Sequence, residues 1–268
     1  MRAVPRGINA PRPHPPFAKA KGTFSCKAGE GAHDGISAYR KRSIFWTKPN
    51  EAPMSLKLFL HPLSSYCQKA LVAFYENGTP FEPIFVNLGD AESSRELKSL
   101  WPIGKFPVLR DEKRGLTVPE SSIIIEYLDR HYPGKTRLVP DAADAQWQTR
   151  LKDRFYDLHI HTHMQKIVGD RLRPQDKRDS FGVDQAKAAI EVAYDMLDAE
   201  MGERHWAMGD HFSIADCSAA PALFYARLAV PFGERRNLAA YFERLASRPS
   251  FARATEEAKP YFHLFPRE

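Results

Sequence analysis

The pattern of apolar residues changes near residue 140, and this change limits the folds that the chain can adopt. Before it, short strand-like runs alternate with helical patterns, with strands at 56–60, 81–86, 106–109 and 115–118 and helices at 65–77, 93–100 and 120–131. A β-α-β unit followed by a β-β-α unit is typical of a compact α/β domain. After the change only helical periods recur, at about 143–169, 183–203, 213–228, 235–247 and 250–258.

These patterns predict three consecutive parts after residue 53. We expect an α/β domain of thioredoxin type over 54–133, a linker over 134–142 and an all-helical domain over 143–268. No run of 18 apolar residues interrupts them, so a membrane partner is not expected. The three cysteines, at positions 26, 67 and 217, show no paired spacing, which favours a reducing compartment such as the cytoplasm.

The first 53 residues differ from the rest in composition. They contain ten Lys or Arg against three acidic residues, with seven prolines and five glycines, and they show no hydrophobic period. We expect a disordered basic extension, either a leader or a stretch upstream of a natural start at Met54. The other residues hold 29 bases and 30 acids, so no overall positive field favours nucleic acid as a partner.

Three short motifs in the first domain each suit a small peptide-like anion. Ser64 lies where the first helix begins, and free N–H groups and the helix dipole favour an anion there. Pro107 stands at the head of the strand predicted over 106–109 and cannot donate to a sheet, which predicts an edge, a bulge or a cis bend. Glu120 and Ser121 stand at a second strand-to-helix junction. Taken singly, each motif is also explained as a helix cap or a strand end.

Four motifs together carry a family resemblance: SSYCQKA, KFPVL, PESSIIIEYL and FSIADCSAAPAL. With them, residues 54–268 resemble a cytosolic glutathione transferase of the serine type, similar to bacterial members. The resemblance implies a thioredoxin-like domain that binds glutathione, a helical domain that binds the second substrate, and a homodimer. One departure is Trp101-Pro102, where the family commonly has Asn-Pro.

The resemblance also assigns roles to residues. Ser64 would donate a hydrogen bond to the sulfur of glutathione and favour the thiolate. The residues that match the family's other glutathione contacts are Lys105 for the glycyl carboxylate, Phe106 for main-chain pairing with the cysteinyl unit, Pro107 as the cis-proline, and Glu120 with Ser121 for the γ-glutamyl end. The residues expected to line the substrate pocket are Leu63, Tyr66, Tyr156 and His159.

The implied activity is conjugation of glutathione to a small hydrophobic electrophile, as in detoxification. Two alternatives stay open: a glutathione-dependent disulfide reductase or isomerase on the same site, and a non-catalytic binding protein of the same fold. Cys67 distinguishes the first alternative from conjugation. A reductase would use Cys67 as a thiol that resolves mixed disulfides with glutathione, whereas in a conjugating enzyme Cys67 would be only a small buried residue.

Two further motifs lead to structural expectations. His159, His161 and His163 alternate, and on a helix His161 points away from the other two, so no metal site is expected. Ser213 and Asp216 have the spacing of a capping box at the start of an apolar helix.

Overall fold

The computed structural model describes residues 55–266, so the predicted basic extension lies outside the described residues. The strands are β1 (Leu56–Leu60), β2 (Glu82–Phe85), β3 (Val108–Asp111) and β4 (Leu116–Pro119). The α-helices are α1 (Ser65–Asn77), α2 (Ala91–Leu100), α3 (Ser121–His131), α4 (Ala143–Phe155), α5 (Thr162–Arg171), α6 (Ser180–Met201), α7 (Ile214–Ala226), α8 (Arg236–Ser247) and α9 (Pro249–Ala258). Shorter helical segments are a π-helical segment (Tyr156–His161) and two 3₁₀ segments (Gln175–Lys177 and Lys259–Leu264).

The strands form one mixed sheet in the order β2-β1-β3-β4. β1 runs parallel to β2, with α1 as the crossover that parallel pairing requires, and antiparallel to β3, which pairs antiparallel with β4. Phe59 of β1 and Val108 of β3 pack with Leu97, so α2 covers one face of the sheet. The predicted fold class, an α/β thioredoxin-like region followed by an all-helical region, is confirmed.

Helix α1 is the element on which the two regions meet. Ser64 begins it as the N-cap residue, and Gly78 ends it in the left-handed conformation, at a φ of 61°. Almost all of its residues are buried, because α1 packs against α3, α7 and α9. A helix that packs against neighbours on several sides needs consecutive apolar residues rather than apolar residues on one face only. The stretch ALVAF at residues 70–74 of α1 meets this need.

The capping box predicted at the start of α7 is confirmed. The Ser213 N–H donates to Asp216 Oδ2 at 2.9 Å, and the Tyr241 hydroxyl donates to Asp216 Oδ1 at 2.7 Å. The box therefore also joins α7 to α8.

The sequence-based boundaries differ from the structure in two informative places. The long helix expected over 143–169 is interrupted by the π-helical segment, whose extra residue per turn rotates the following side chains about the axis. The strand expected from Phe106 begins at Val108, after a cis bond between Phe106 and Pro107. Within residues 55–266, no helix is long and apolar enough to cross a membrane.

Candidate functional site

The sheet register brings the three motifs of the first region to one end of the sheet. Val108 pairs with Phe59 near the end of β1 and with Pro119 at the end of β4. The chain leaves β1 toward the start of α1, enters β3 from the cis-proline bend and leaves β4 into α3. The starts of both helices and the bend therefore lie at the same edge.

Ser64 presents a hydroxyl at this edge. Its Oγ accepts a hydrogen bond from the Cys67 N–H at 3.3 Å, which uses one lone pair of the oxygen. The side chain is half-buried, and its hydroxyl also lies within hydrogen-bonding reach of the Cys67 thiol, a weak acceptor. A hydroxyl proton can rotate toward a stronger acceptor, so Ser64 can donate to a charged ligand atom that reaches it.

The start of α3 offers a second set of donors. Glu120 is its N-cap residue, but the Glu120 side chain makes no capping hydrogen bond. Glu120 also has a φ of 71°, a left-handed conformation that costs a residue with a side chain about 1 kcal/mol or more. Such a conformation is retained where the surroundings impose it, often at a binding site. The uncapped N–H groups and the helix dipole make this end suitable for a carboxylate.

The bend before β3 lies between these two helix starts. Phe106 precedes the cis-proline and lies beyond the last residue pair of both ladders of β3, so its main chain is outside the sheet pairing. Its ring is half-buried and stacks on His61, with 6.3 Å between ring centroids. Lys105, the preceding residue, is exposed.

The residues expected to line the substrate pocket are only partly brought together. Leu63 and Tyr66 are half-buried beside Ser64, and His159 is exposed with its ring 5.2 Å from Phe155. Tyr156, in contrast, is 0% exposed and lies in the core, where it has no surface to offer a ligand. The structure instead places His161 against Tyr66, with 4.5 Å between ring centroids.

A buried ionic cluster behind the site was not among the predicted residues. Lys69 of α1 is fully buried, and its Nζ lies 2.8 Å from Asp153 Oδ1, 2.9 Å from Asp157 Oδ2 and 2.8 Å from Ser122 Oγ. The Ser122 hydroxyl in turn donates to Asp153 at 2.8 Å. Since these residues come from α1, α3, α4 and the π-helical segment, the cluster fixes the starts of α1 and α3 relative to the helical region.

His161 borders this cluster. Its Nδ1 lies 3.5 Å from Asp157 Oδ1, and the ring is fully buried. Burial lowers the pKa of His161, so its ring stays neutral over a wider range of pH. Burial raises the pKa of Asp157, but the nearby His161 ring and Lys69 ammonium outweigh this and hold that pKa below its ordinary value.

A sequence signal for the cluster does exist. Asp153, Asp157 and His161 recur every four residues, a spacing that places polar groups on one helix face. That pattern predicts a polar face but does not distinguish a solvent-exposed face from a buried one. The partner that decides between the two, Lys69, is more than 80 residues away in the chain.

The two cysteines within residues 55–266 are both buried. Cys67 is 0% exposed, and burial raises the pKa of its thiol to about 12. Burial likewise raises the pKa of Cys217. The geometry therefore favours the interpretation of Cys67 as a small buried residue. Over the same residues, no group of three His, Cys, Asp or Glu side chains is arranged to hold a metal ion.

Comparison with family models gives two matches in the same chain. Residues 58–136 match the model described as glutathione S-transferase, N-terminal domain, and residues 180–244 match that described as glutathione S-transferase, C-terminal domain. Together the two matches span more than half of the chain.

Individual proteins agree with these models. Glutathione S-transferase GstB of Escherichia coli (strain K12) is 24% identical over 189 residues, which cover 70% of this chain and 91% of that protein. Glutathione S-transferase hmp2 of Hypomyces subiculosus is 27% identical over 219 residues, covering 77% of this chain and all of that protein. A crystal structure of a glutathione S-transferase from Methylobacillus flagellatus, with GSH bound, superposes with a TM-score of 0.69 at 26% identity, covering 75% of this chain and 98% of that one.

Proposed function

This chain belongs to the glutathione S-transferase family, and we propose that it conjugates the thiolate of glutathione to a small hydrophobic electrophile, with Ser64 stabilising the thiolate. The observation that carries this proposal is the meeting of three motifs at one end of the sheet. They are the start of α1, the cis-proline bend and the uncapped start of α3.

The proposed role of Ser64 rests on its hydroxyl proton at the start of α1, which can turn from the weak acceptor Cys67 to a thiolate. A hydrogen bond to a charged group contributes about 1.5–3 kcal/mol, and a charge at a helix start gains about 0.3–1 kcal/mol more. Lowering a thiol pKa by about two units requires roughly 2.7 kcal/mol, which these two contributions supply. Because the thiolate is the nucleophile, most of the bound glutathione would then be reactive at neutral pH.

The rest of the tripeptide has a proposed contact for each part. The γ-glutamyl carboxylate would meet the free N–H groups at Ser121, and its amine the exposed Glu120 carboxylate. The main chain of Phe106, which lies outside the sheet ladders, would pair with the cysteinyl unit beside Pro107. The Lys105 ammonium would face the glycyl carboxylate.

The electrophile would lie over Leu63 and Tyr66, with the exposed His159 at its rim. We assign glutathione binding to residues 54–133 and electrophile binding to residues 143–268, joined by a linker over 134–142. A disulfide reductase mechanism is less well supported, because a resolving thiol must be reachable and Cys67 is fully buried with a raised pKa.

We also propose that the chain forms a homodimer through the outer faces of α3 and α4. Glu126 and Arg150 form a two-bond ion pair, with distances of 2.8 and 2.7 Å, that holds these faces side by side. Around this pair, Ile123, Trp147 and Leu151 are 51%, 54% and 62% exposed. A cluster of exposed apolar side chains with a polar centre is typical of a protein interface.

The test of the proposed function is Ser64→Ala in the full chain. Glutathione is titrated into the protein across a pH series, and the ultraviolet absorbance of the bound thiolate gives the pKa of the bound thiol. We expect that pKa to rise by about 1–2 units while glutathione still binds. The proposal is refuted if the unmodified protein binds glutathione without forming thiolate, or does not bind it.

Ser213→Ala is the matched control. Ser213 is also an N-cap serine, and its Oγ accepts from the Ala215 N–H at 3.2 Å, close to the 3.3 Å of the Ser64 contact. Both substitutions remove a helix cap, but only one removes a donor at the site. An equal effect of the two on the pKa of bound glutathione would show that Ser64 acts only as a cap.

A further inference from the structure

A tyrosine of the helical region reaches the peptide group that precedes Ser64. The Tyr225 hydroxyl of α7 donates to the Leu63 carbonyl oxygen at 2.7 Å. This is the usual length of a hydroxyl hydrogen bond in proteins. The Leu63 carbonyl and the Ser64 N–H belong to one planar peptide group, so a bond to the carbonyl also limits rotation about the Ser64 N–Cα bond.

A second side chain fixes the direction of that hydroxyl. Gln68 Nε2 donates to the Tyr225 oxygen at 3.0 Å and to the Pro62 carbonyl at 2.9 Å. Because the Tyr225 oxygen accepts from Gln68, its own proton is directed to Leu63. Burial raises the pKa of Tyr225, so the hydroxyl remains a donor at every pH at which the enzyme would work.

Aromatic residues from the end of the chain cover this contact. The Tyr225 ring lies 6.2 Å from that of Phe262, nearly parallel to it, and 5.4 Å from that of Phe265. Tyr225 is 2% exposed as a result. Water therefore has little access to the Tyr225 side of this hydrogen bond, and a hydrogen bond with a buried donor is stronger than one in water.

The loop is held on its other side as well. The Ser64 N–H donates to the His61 carbonyl at 2.9 Å, and the His61 ring lies 5.1 Å from that of Tyr261. The turn that delivers Ser64 is thus fixed from within by His61 and from the helical region by Tyr225.

We propose that Tyr225 is a positioning residue for the serine hydroxyl: through the Leu63–Ser64 peptide it aims Ser64 Oγ at the sulfur of glutathione. This inference rests on the proposed function. A hydrogen bond to a reacting atom requires placement to within about 0.5 Å and 10–20°, and rotation of the peptide by that angle displaces Oγ by a similar distance. The helical region would then tune the chemistry of a thiol bound by the α/β region.

The test is Tyr225→Phe in the full chain, which removes one oxygen and keeps the ring that packs on Phe262. We expect the pKa of bound glutathione to rise by about 0.5 unit, a change of roughly threefold in the thiolate-to-thiol ratio. Glutathione affinity, measured by calorimetry at a pH where the thiol is protonated, should change by less than about twofold, because Tyr225 does not contact the ligand.

Tyr194→Phe is the matched control, since the Tyr194 hydroxyl is also buried and also meets a main-chain carbonyl, that of Val230, at 3.2 Å. Both variants lose a buried hydroxyl and should lose similar stability, but only Tyr225→Phe should move the thiol pKa. An unchanged thiol pKa in Tyr225→Phe, alongside a raised one in Ser64→Ala, overturns the positioning role and leaves the proposed function intact.

A second variant keeps the inference testable if Tyr225→Phe does not fold. Gln68→Met removes the donor that orients the Tyr225 hydroxyl and should raise the thiol pKa in the same direction. Wild-type pKa in Gln68→Met would overturn the proposal. Failure of the unmodified protein to form thiolate would refute the proposed function itself, and the positioning role with it.

Discussion

Replacing Lys69 by methionine removes the fully buried positive charge of the cluster behind the site and leaves only Arg154, which is 54% exposed, 3.4 Å from Asp157 at its edge within residues 55–266. The Lys69 side chain is 0% exposed, and it stands between Asp153 and Asp157, which are 3% and 7% exposed. Methionine has a similar length and apolar character, so the substitution removes the charge with little change in packing. What remains is a pair of buried carboxylates with no buried cation between them, of which Asp157 keeps only the half-exposed Arg154 as a partner.

The size of the effect follows from that burial. Removing one partner of a buried ion pair destabilises a protein by about 3–5 kcal/mol, because the other charge stays buried and uncompensated. A matched surface variant is Lys57→Met. Lys57 also meets a carboxylate, Glu112, at 3.3 Å, but the two side chains are 35% and 44% exposed. Exposed pairs of this kind contribute about 0–1 kcal/mol.

The measurement is urea unfolding of the full chain, followed by far-ultraviolet circular dichroism and by tryptophan fluorescence. Coincidence of the two transitions tests whether unfolding is two-state and whether a free energy can be extracted. The Lys69→Met loss should also shrink as the pH is lowered. The ammonium is one of the groups that hold the pKa of Asp157 down, so that pKa is higher in the variant, and protonation at low pH costs the variant less stability than it costs the unmodified protein.

Two results would contradict this reasoning. The first is a loss in Lys69→Met no larger than that in Lys57→Met, which would mean that the cluster is not buried in solution. The second is a loss that does not depend on pH, which would mean that uncompensated carboxylates are not its cause.

Two further predictions concern His161 and the proposed dimer face. Because burial lowers the pKa of His161, the unfolded chain binds a proton there before the folded chain does, and stability falls as the pH drops below about 6.5. Urea unfolding at several pH values gives the slope of the unfolding free energy against pH, and His161→Phe should reduce this slope by up to about 1.4 kcal/mol per pH unit. An unchanged slope would exclude His161 as the cause of the pH dependence. Leu151→Glu should convert a dimer into a monomer in sedimentation measurements, whereas Leu172→Glu, at a leucine outside α3 and α4 that is 71% exposed against 62% for Leu151, should not. Equal masses for the two variants would argue against the α3–α4 interface.

Much of the fold could be predicted from the sequence because it depends on neighbouring residues. The alternation of short apolar runs and helical periods indicated the α/β region and the helical region. The serine before α1, the glycine after it and the capping box of α7 are signals confined to a few residues, and the structure contains all three. The residues at the helix starts and at the cis-proline could likewise be identified from local spacing.

Tertiary structure decided how these local features meet. No local pattern states that Val108 pairs with both Phe59 and Pro119, and it is this register that brings three separate motifs to one edge. The π-helical segment similarly decided which side chain faces Tyr66. Tyr156, at the start of this segment, lies in the core, and the extra residue in the turn rotates the later side chains, of which His161 lies against the Tyr66 ring.

The sequence by itself therefore determined which elements form and which chemical groups stand at their ends. Only the tertiary structure decided which of those groups are buried and what they are bonded to. The Lys69–Asp153 ion pair and the Tyr225–Leu63 hydrogen bond join residues 84 and 162 positions apart in the chain. Such contacts depend on how whole helices rotate and pack against one another. Many side chains spread along the chain contribute to that packing, so no short stretch of sequence predicts it.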